Sequence, residues 1–424
     1  MSISKQRLDS YLHTLAFALF CMLPLFLAMR AVADIAVCSI AALFMVHCIL
    51  AKNWQWLRQP AFRMLLILWV LMLLVSFIVT GTKLSIISAL IWGRFIPFLA
   101  AASTWLLVTP RALTIVYKIG LTIIFLFAID TTWQYFTGMS LSGRPIFGLI
   151  QDVALADQTL RLTGPLTNPN IGNLFLKTGL PLAGIALYSI LESGSAKRLW
   201  LAFLFAAVIL SLILVSGERS ISLLMLLGLG STWSILLLRL PHARRWIILL
   251  GIAWVILFLV IGSTQHVVQQ RGHFLVEQLG SFWTTPYGQL YREAFVLWRA
   301  HPVFGIGAGQ FRLLSPDAMH MIDGNYFDMH PHNMYLELLV SNGLIGFSLF
   351  VLAIGLVLRQ FFRECVFSGN ACIPAAFSCG TLATLLFPII VTQSIYSNWP
   401  GILFWYALGL ALCAPRIARA ERRQ

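Results

Sequence analysis

The segment His330-Pro331-His332-Asn333-Met334-Tyr335-Leu336-Glu337 sets two imidazoles where a hydrophilic stretch gives way to an apolar one. The apolar run that follows reads as a helix, so His332 stands at its N-terminus. The positive end of a helix opposes an imidazolium there. The ring should therefore stay neutral and be able to take a proton from a hydroxyl as a general base. Two other readings stay open. One makes His332 a capping or interfacial histidine. The other gathers His320, Asp323, Asp328, His330 and His332, all within thirteen positions, into a metal site. Their spacing matches no compact zinc motif, and no metal is expected.

Fixed cations that can hold an anionic leaving group come next. Arg219 lies in Ser216-Gly217-Glu218-Arg219-Ser220, a tight turn opening an apolar helix, where free N–H groups favour an anion. A snorkelling arginine, or one paired with Glu218, fits the same position. Arg292 and Arg299 stand seven apart in the segment 290–299, where Leu290, Ala294, Leu297 and Trp298 recur at helical spacing. This predicts an amphipathic helix lying on a membrane surface, with an ordinary solvated face as the competing account. Arg94 and Lys177 lie inside apolar stretches, roughly 10 Å from one end at 1.5 Å per residue. Charges at that depth point to function by default, although both are within reach of snorkelling. With Arg161, Arg299, His330 and Tyr335 they form the candidate substrate-binding set. Gly305-x-Gly307-x-Gly309 has only a superficial likeness to a phosphate loop, because it follows a helix-like segment and not a strand. The preceding His301-Pro302-Val303-Phe304-Gly305 reads as a turn that re-aims the chain.

The elements that must position these residues are membrane spans. Of 424 residues, 59% are apolar and only 10% charged, against about a quarter charged in soluble domains. Stretches of about 20 apolar residues number twelve. They are Leu12–Met29, Ala31–Leu50, Met64–Thr80, Ile86–Val108, Ala112–Ile129, Ile171–Leu191, Leu199–Ser216, Ser220–Leu238, Trp246–Gly262, Asn333–Leu358, Ala371–Ile395 and Trp399–Ala414. The expected fold is an all-α integral membrane protein, a single polytopic domain over residues 1–424. Residues 263–332 form its long loop between spans nine and ten, containing amphipathic helices.

Orientation follows from the basic residues. With both termini in the cytoplasm, the cytoplasmic segments hold 18 of the 29 basic residues and four of the 15 acids, which accounts for the whole net charge of +14. The outer half is neutral. The charge is thus a topology signal, and no nucleic-acid partner is expected. The candidate residues then face away from the cytoplasm. None of the seven cysteines falls in the two long outward segments, so no disulfide framework is available there. Beyond the cytoplasm there is no ATP, so a transferase must use a pre-activated substrate. In a membrane, a lipid-linked pyrophosphate is the obvious kind, and the planar fork of arginine suits it.

Three blocks together resemble the O-antigen ligase/polymerase family of bacterial envelope glycosyltransferases. They are the Gly217-Glu218-Arg219-Ser220 turn; Arg292 with Trp298, His301-Pro302 and the run from Gly305 to Phe311; and His332-Asn333-x-x-Leu336-Glu337 with Asn342-Gly343-Leu344-Ile345-Gly346. The resemblance covers roughly the C-terminal half, and the N-terminal half agrees in topology alone. It implies the C-type membrane glycosyltransferase architecture in the bacterial inner membrane, with a periplasmic active site. It also implies an undecaprenyl-pyrophosphate-linked glycan as donor, lipid A-core as acceptor, and no cofactor. In an inverting displacement His332 would be the base, and Arg219 and Arg292 would hold the pyrophosphate. A polymerase of O-units or exopolysaccharide using the same donor is the nearest alternative. A transporter fits less well, because its charges belong near the bilayer midplane and here they lie toward one face.

Overall fold

The computed structural model describes residues 3–146, 161–264, 280, 282–314, 330–388 and 394–423. Among the described residues the regular elements are all helical, and an isolated bridge joins Met139 and Pro145. Among the described residues, twelve helices are long and apolar enough to cross a membrane, one for each expected span. The longer helices are α1 (Ile3–Phe26), α2 (Arg30–Ala51), α3 (Pro60–Leu74), α4 (Lys83–Trp92), α5 (Phe95–Ala101) and α6 (Pro110–Thr137). They continue as α7 (Ile171–Glu192), α8 (Ala196–Val215), α9 (Arg219–Arg239) and α10 (Arg244–Thr264). The last four are α11 (Pro286–Ala300), α12 (Met334–Glu364), α13 (Cys372–Leu386) and α14 (Asn398–Cys413). This is an integral membrane protein.

Local sequence sets many of the ends. Thr82, Thr109, Ser195, Thr285 and Asn333 each cap the helix that follows, their side-chain oxygens accepting from backbone N–H groups of the first turn. Pro110 and Pro286 occupy first helical positions, where a missing N–H costs nothing. The span expected to run to Ile395 stops at Leu386, and Pro388 follows two residues later.

The helices differ sharply in what surrounds them. α14 is buried almost throughout, packed against α2, α5, α7 and α13. α10 is the opposite case: Ile248, Leu249, Ile252, Val255, Ile256 and Leu259 are all exposed. An apolar helix with nothing to cover it is unstable in water and at home in lipid. α13 lies between α7 and α9, and a Cβ on Gly380 would come within 2.5 Å of the Gly228 carbonyl oxygen. Small residues at both positions let the two backbones touch, as membrane helices do where no apolar driving force separates helix from lipid.

One helix is broken on purpose. In α12, Gly343 adopts φ 62 and ψ −169, which interrupts the ladder ten residues in. The freed groups are satisfied by the chain after α11. Ile306 and Gly307 donate their N–H groups to the carbonyls of Val340 and Ser341, both at 2.9 Å. Leu344 and Ile345 donate in return to the carbonyls of Pro302 (2.8 Å) and Val303 (3.3 Å). The glycine-rich stretch is thus a splice into a membrane helix, and more than the turn its sequence suggests. Gly305 and Gly343 face each other so closely that a Cβ on either would strike backbone of the other segment. The far side of the splice rests on the α3–α4 turn. There the Thr80 hydroxyl donates to the Ile306 carbonyl at 3.3 Å, and Gln310 bonds Thr82.

Candidate active site

α11 is amphipathic as expected, yet its apolar stripe does not face lipid. Leu290, Ala294, Leu297 and Trp298 pack on Leu336 and Val340 of α12, with Ile306 and Phe311 from the splice. The sequence cannot tell a membrane surface from a protein surface. A helix groove at the right height offers better packing than headgroups do. α11 is thereby fixed against the first turns of α12, which is where His332 stands.

The helix proper starts at Met334, with Asn333 as its cap and His332 one residue before it. The Asn333 side-chain oxygen accepts from the Tyr335 and Leu336 N–H groups at 3.0 and 3.1 Å. Its amide nitrogen donates to the Tyr291 hydroxyl of α11 (3.1 Å) and to the Pro388 carbonyl (2.8 Å). One residue therefore ties α12 to α11 and to the chain after α13. Burial pushes the Tyr291 phenol above its ordinary value, so it remains a phenol at neutral pH.

His332 has φ 50, a left-handed backbone conformation uncommon for a residue with a side chain. Its N–H donates to His330 Nδ1 at 3.0 Å, and the two rings lie 4.1 Å apart between centroids. Tyr287 of α11 meets the His332 ring edge-on at 5.2 Å. His330 is buried, and burial together with the neighbouring His332 holds its imidazole well below the usual histidine range. It is neutral at physiological pH.

Behind this pair the chain between α13 and α14 is stitched to the first turns of α12. The Tyr335 hydroxyl donates to the Leu386 carbonyl at 2.7 Å. The buried Glu337 carboxylate accepts from the Ser394 hydroxyl (2.5 Å) and the Ile395 N–H (3.0 Å). Asn342 donates to the Tyr396 hydroxyl at 2.5 Å. Tyr335, expected to touch substrate, has its hydroxyl occupied by this framework.

Arg292 is exposed on α11, one residue beyond Tyr291, with its guanidinium 5.9 Å from the centre of the Trp283 ring. Arg299 lies exposed nearly two turns further along the same helix. The helix that touches His332 thus presents two cations that reach solvent.

A second cluster forms where α7 and α9 begin. Arg219 is the first residue of α9; its side chain lies outside the described residues. Glu218, which precedes it, is buried and accepts from the N–H groups of Gly172 (2.7 Å) and Asn173 (3.3 Å) in the first turn of α7. Burial pushes the Glu218 carboxyl up to about 7, against the two N–H bonds and the positive charges of Arg161 and Lys177, which favour ionisation. Arg161 is placed by its neighbours. Leu162 donates to the Ser216 carbonyl at 3.0 Å, and the Gln134 side chain accepts from Thr163 and Gly164 at 3.0 and 2.8 Å. Arg161, Lys177 and the start of α9 are therefore brought together around one carboxylate.

Arg94 belongs to neither cluster. It bonds the Asp34 carboxylate at 2.6 Å and Asn398 at 3.2 Å, linking α2, the α4–α5 junction and α14. His320, Asp323 and Asp328 lie outside the described residues. Asn333, Tyr287, Tyr291 and Glu337 escaped the sequence reading as site residues. Asn333 carried a signal, because asparagine before an apolar run favours a cap. The four-residue spacing of Tyr287 and Tyr291 carried another, since it puts both on one helix face.

Residues 185–351 match the family model described as O-antigen ligase. The matched stretch takes in Arg219, α11 with Arg292 and Arg299, the splice, and the His330–Asn333 junction, and it stops eight residues past the Gly343 break. None of the curated proteins compared with the chain matches it. The likeness to the O-antigen ligase family is thus carried by residues 185–351, which hold the α9 junction of one cluster and the α12 junction of the other.

Proposed function

We propose that this protein transfers an O-antigen glycan from undecaprenyl pyrophosphate to a sugar hydroxyl of lipid A-core. The reaction takes place at the periplasmic face of the inner membrane, with both termini cytoplasmic. The family match supports an O-antigen ligase or polymerase type of transfer. The observation that carries the mechanism is the placement of His332. Its backbone is held by His330, its ring rests against α11, and that same helix bears Arg292.

His332 takes the proton from the acceptor hydroxyl as the oxygen attacks the anomeric carbon. The bond from that carbon to the pyrophosphate oxygen breaks with inversion, and the electron pair leaves on the pyrophosphate. Arg219 and Arg292 hold the diphosphate and neutralise the charge that develops on it. Arg161, Lys177 and Arg299 extend the anionic contact. The chemistry uses no metal or cofactor.

The test is transfer by purified protein in nanodiscs from a lipid-linked glycan to lipid A-core. His332→Ala should lower the rate by about 10²–10⁴-fold with protein levels intact; wild-type activity in that variant would remove His332 from the mechanism. Restoration of an EDTA-inactivated enzyme by a single divalent metal would replace the metal-free reading. Lipopolysaccharide from a strain lacking the gene separates the two transfer types. Intact core without any ladder marks a ligase, and core bearing one repeat unit marks a polymerase.

A further inference from the structure

His330 looks at first like a substrate contact, and its surroundings speak against that. It is 6% exposed, so little of it is open to a ligand. Its Nδ1 lone pair is committed to the His332 N–H at 3.0 Å. A nitrogen that accepts carries no proton, so the neutral ring has its hydrogen on Nε2. Between the two histidines stands Pro331, which fixes its own φ and keeps the residue before it extended. The dipeptide is therefore stiff, and the left-handed φ of 50 at His332 follows directly after it. A side chain with a Cβ holds that conformation only when its surroundings enforce it.

We propose that His330 is a positioning residue for His332: by accepting the His332 N–H it fixes the left-handed turn that presents the His332 ring at the entrance to α12. This rests on the reading of His332 as the base. The arrangement is a side chain accepting from the N–H two residues on, the same closure that asparagine makes in an Asx turn. It also sorts the protons. A protonated His330 would lose the lone pair that holds the turn, and its burial beside His332 disfavours that form. The proton taken from the acceptor then stays on His332.

The experiment compares His330→Leu and His330→Asn in the full-length protein in nanodiscs, with donor and acceptor KM measured separately from kcat. Leucine fills the space and removes the acceptor; kcat should fall about tenfold or more while both KM values stay within about threefold. Asparagine restores an acceptor at the right offset and should recover most of kcat. The acid limb of its kcat–pH profile should match that of the wild type, because the base itself is unchanged. A raised donor or acceptor KM with unchanged kcat, in either variant, would make His330 a substrate contact and overturn the proposal. So would a leucine variant with wild-type kcat, or an asparagine variant no better than leucine. If the leucine variant fails to fold, the KM and kcat values of the asparagine variant decide alone. Wild-type activity in His332→Ala would instead sink the base assignment. An inactive His332→Ala beside a normal His330→Leu sinks only the positioning role.

Discussion

The side-chain amide of Asn333 donates to the hydroxyl of Tyr291 at 3.1 Å while its carbonyl oxygen caps α12. One side chain therefore sets both the start of a membrane helix and the seat of the helix that bears Arg292. Asn333→Asp keeps the cap and loses the donor; Asn333→Ala loses both. Alanine should cost about 1 kcal/mol for the cap and a similar amount for the lost ties. Aspartate should cost less in thermal stability and still lower transfer. Equal activity in the aspartate variant and the wild type would show that the link to Tyr291 has no part in placing Arg292.

At Gly343 an added Cβ would lie on the Val303 carbonyl and the Phe304 nitrogen, and φ is positive there. Gly343→Ala should leave little folded protein in the membrane. Gly355, in the same helix, has open space around it. Gly355→Ala should be neutral or stabilising by about 0.5–1 kcal/mol. Fluorescence-detected gel filtration of the two variants checks the contrast.

Glu218 gives a pH signature. Its carboxyl titrates near 7 in the folded protein, above the ordinary carboxylate value, so the folded state binds the proton more tightly than the unfolded chain does. Its contribution to stability is present at low pH and is lost as pH rises through about 7. Glu218→Gln keeps an acceptor for Gly172 and Asn173 without the charge. The melting temperature of the variant relative to wild type should be higher at pH 8 than at pH 5. A difference that is the same at both values would show that Glu218 does not titrate in this range.

Arg94 and Asp34 make a test of role. Removing one partner of a largely buried pair leaves the other charge without compensation. Arg94→Met should therefore lower thermal stability and leave the donor KM unchanged. A raised donor KM in a variant of normal stability would return Arg94 to the substrate site.

The number of spans was legible because length and apolarity alone decide what can cross a bilayer. The surface cations were legible because charge is costly near lipid. Contacts between distant residues were not. Nothing local in His301–Gln310 says that its carbonyls and N–H groups will be used by residues 340–345, or that Thr80 will meet Ile306 across 226 positions. The apolar stripe of α11 was read correctly as a stripe, and its partner was misread for the same reason. Glu337 gave no warning of its site role, since Ser394 and Ile395 lie more than 50 residues away. The start of α12 lies one residue past the expected Asn333, because Asn333 takes the cap.

The splice at Gly343 also fixes an order of assembly. A chain emerging from synthesis can complete α3 and α4 early and offer Thr80 and Thr82 to the splice, but Pro302, Val303, Ile306 and Gly307 meet their other backbone partners only when Val340 to Ile345 have followed into place. Until then four backbone groups of that stretch must find water or other partners. The pieces that flank His332 therefore lock together only after the tenth span has entered the bilayer. A protein truncated before that point would have Arg219 and α11 in its sequence without the α12 start that seats His332, so the candidate site would close as one of the last acts of insertion.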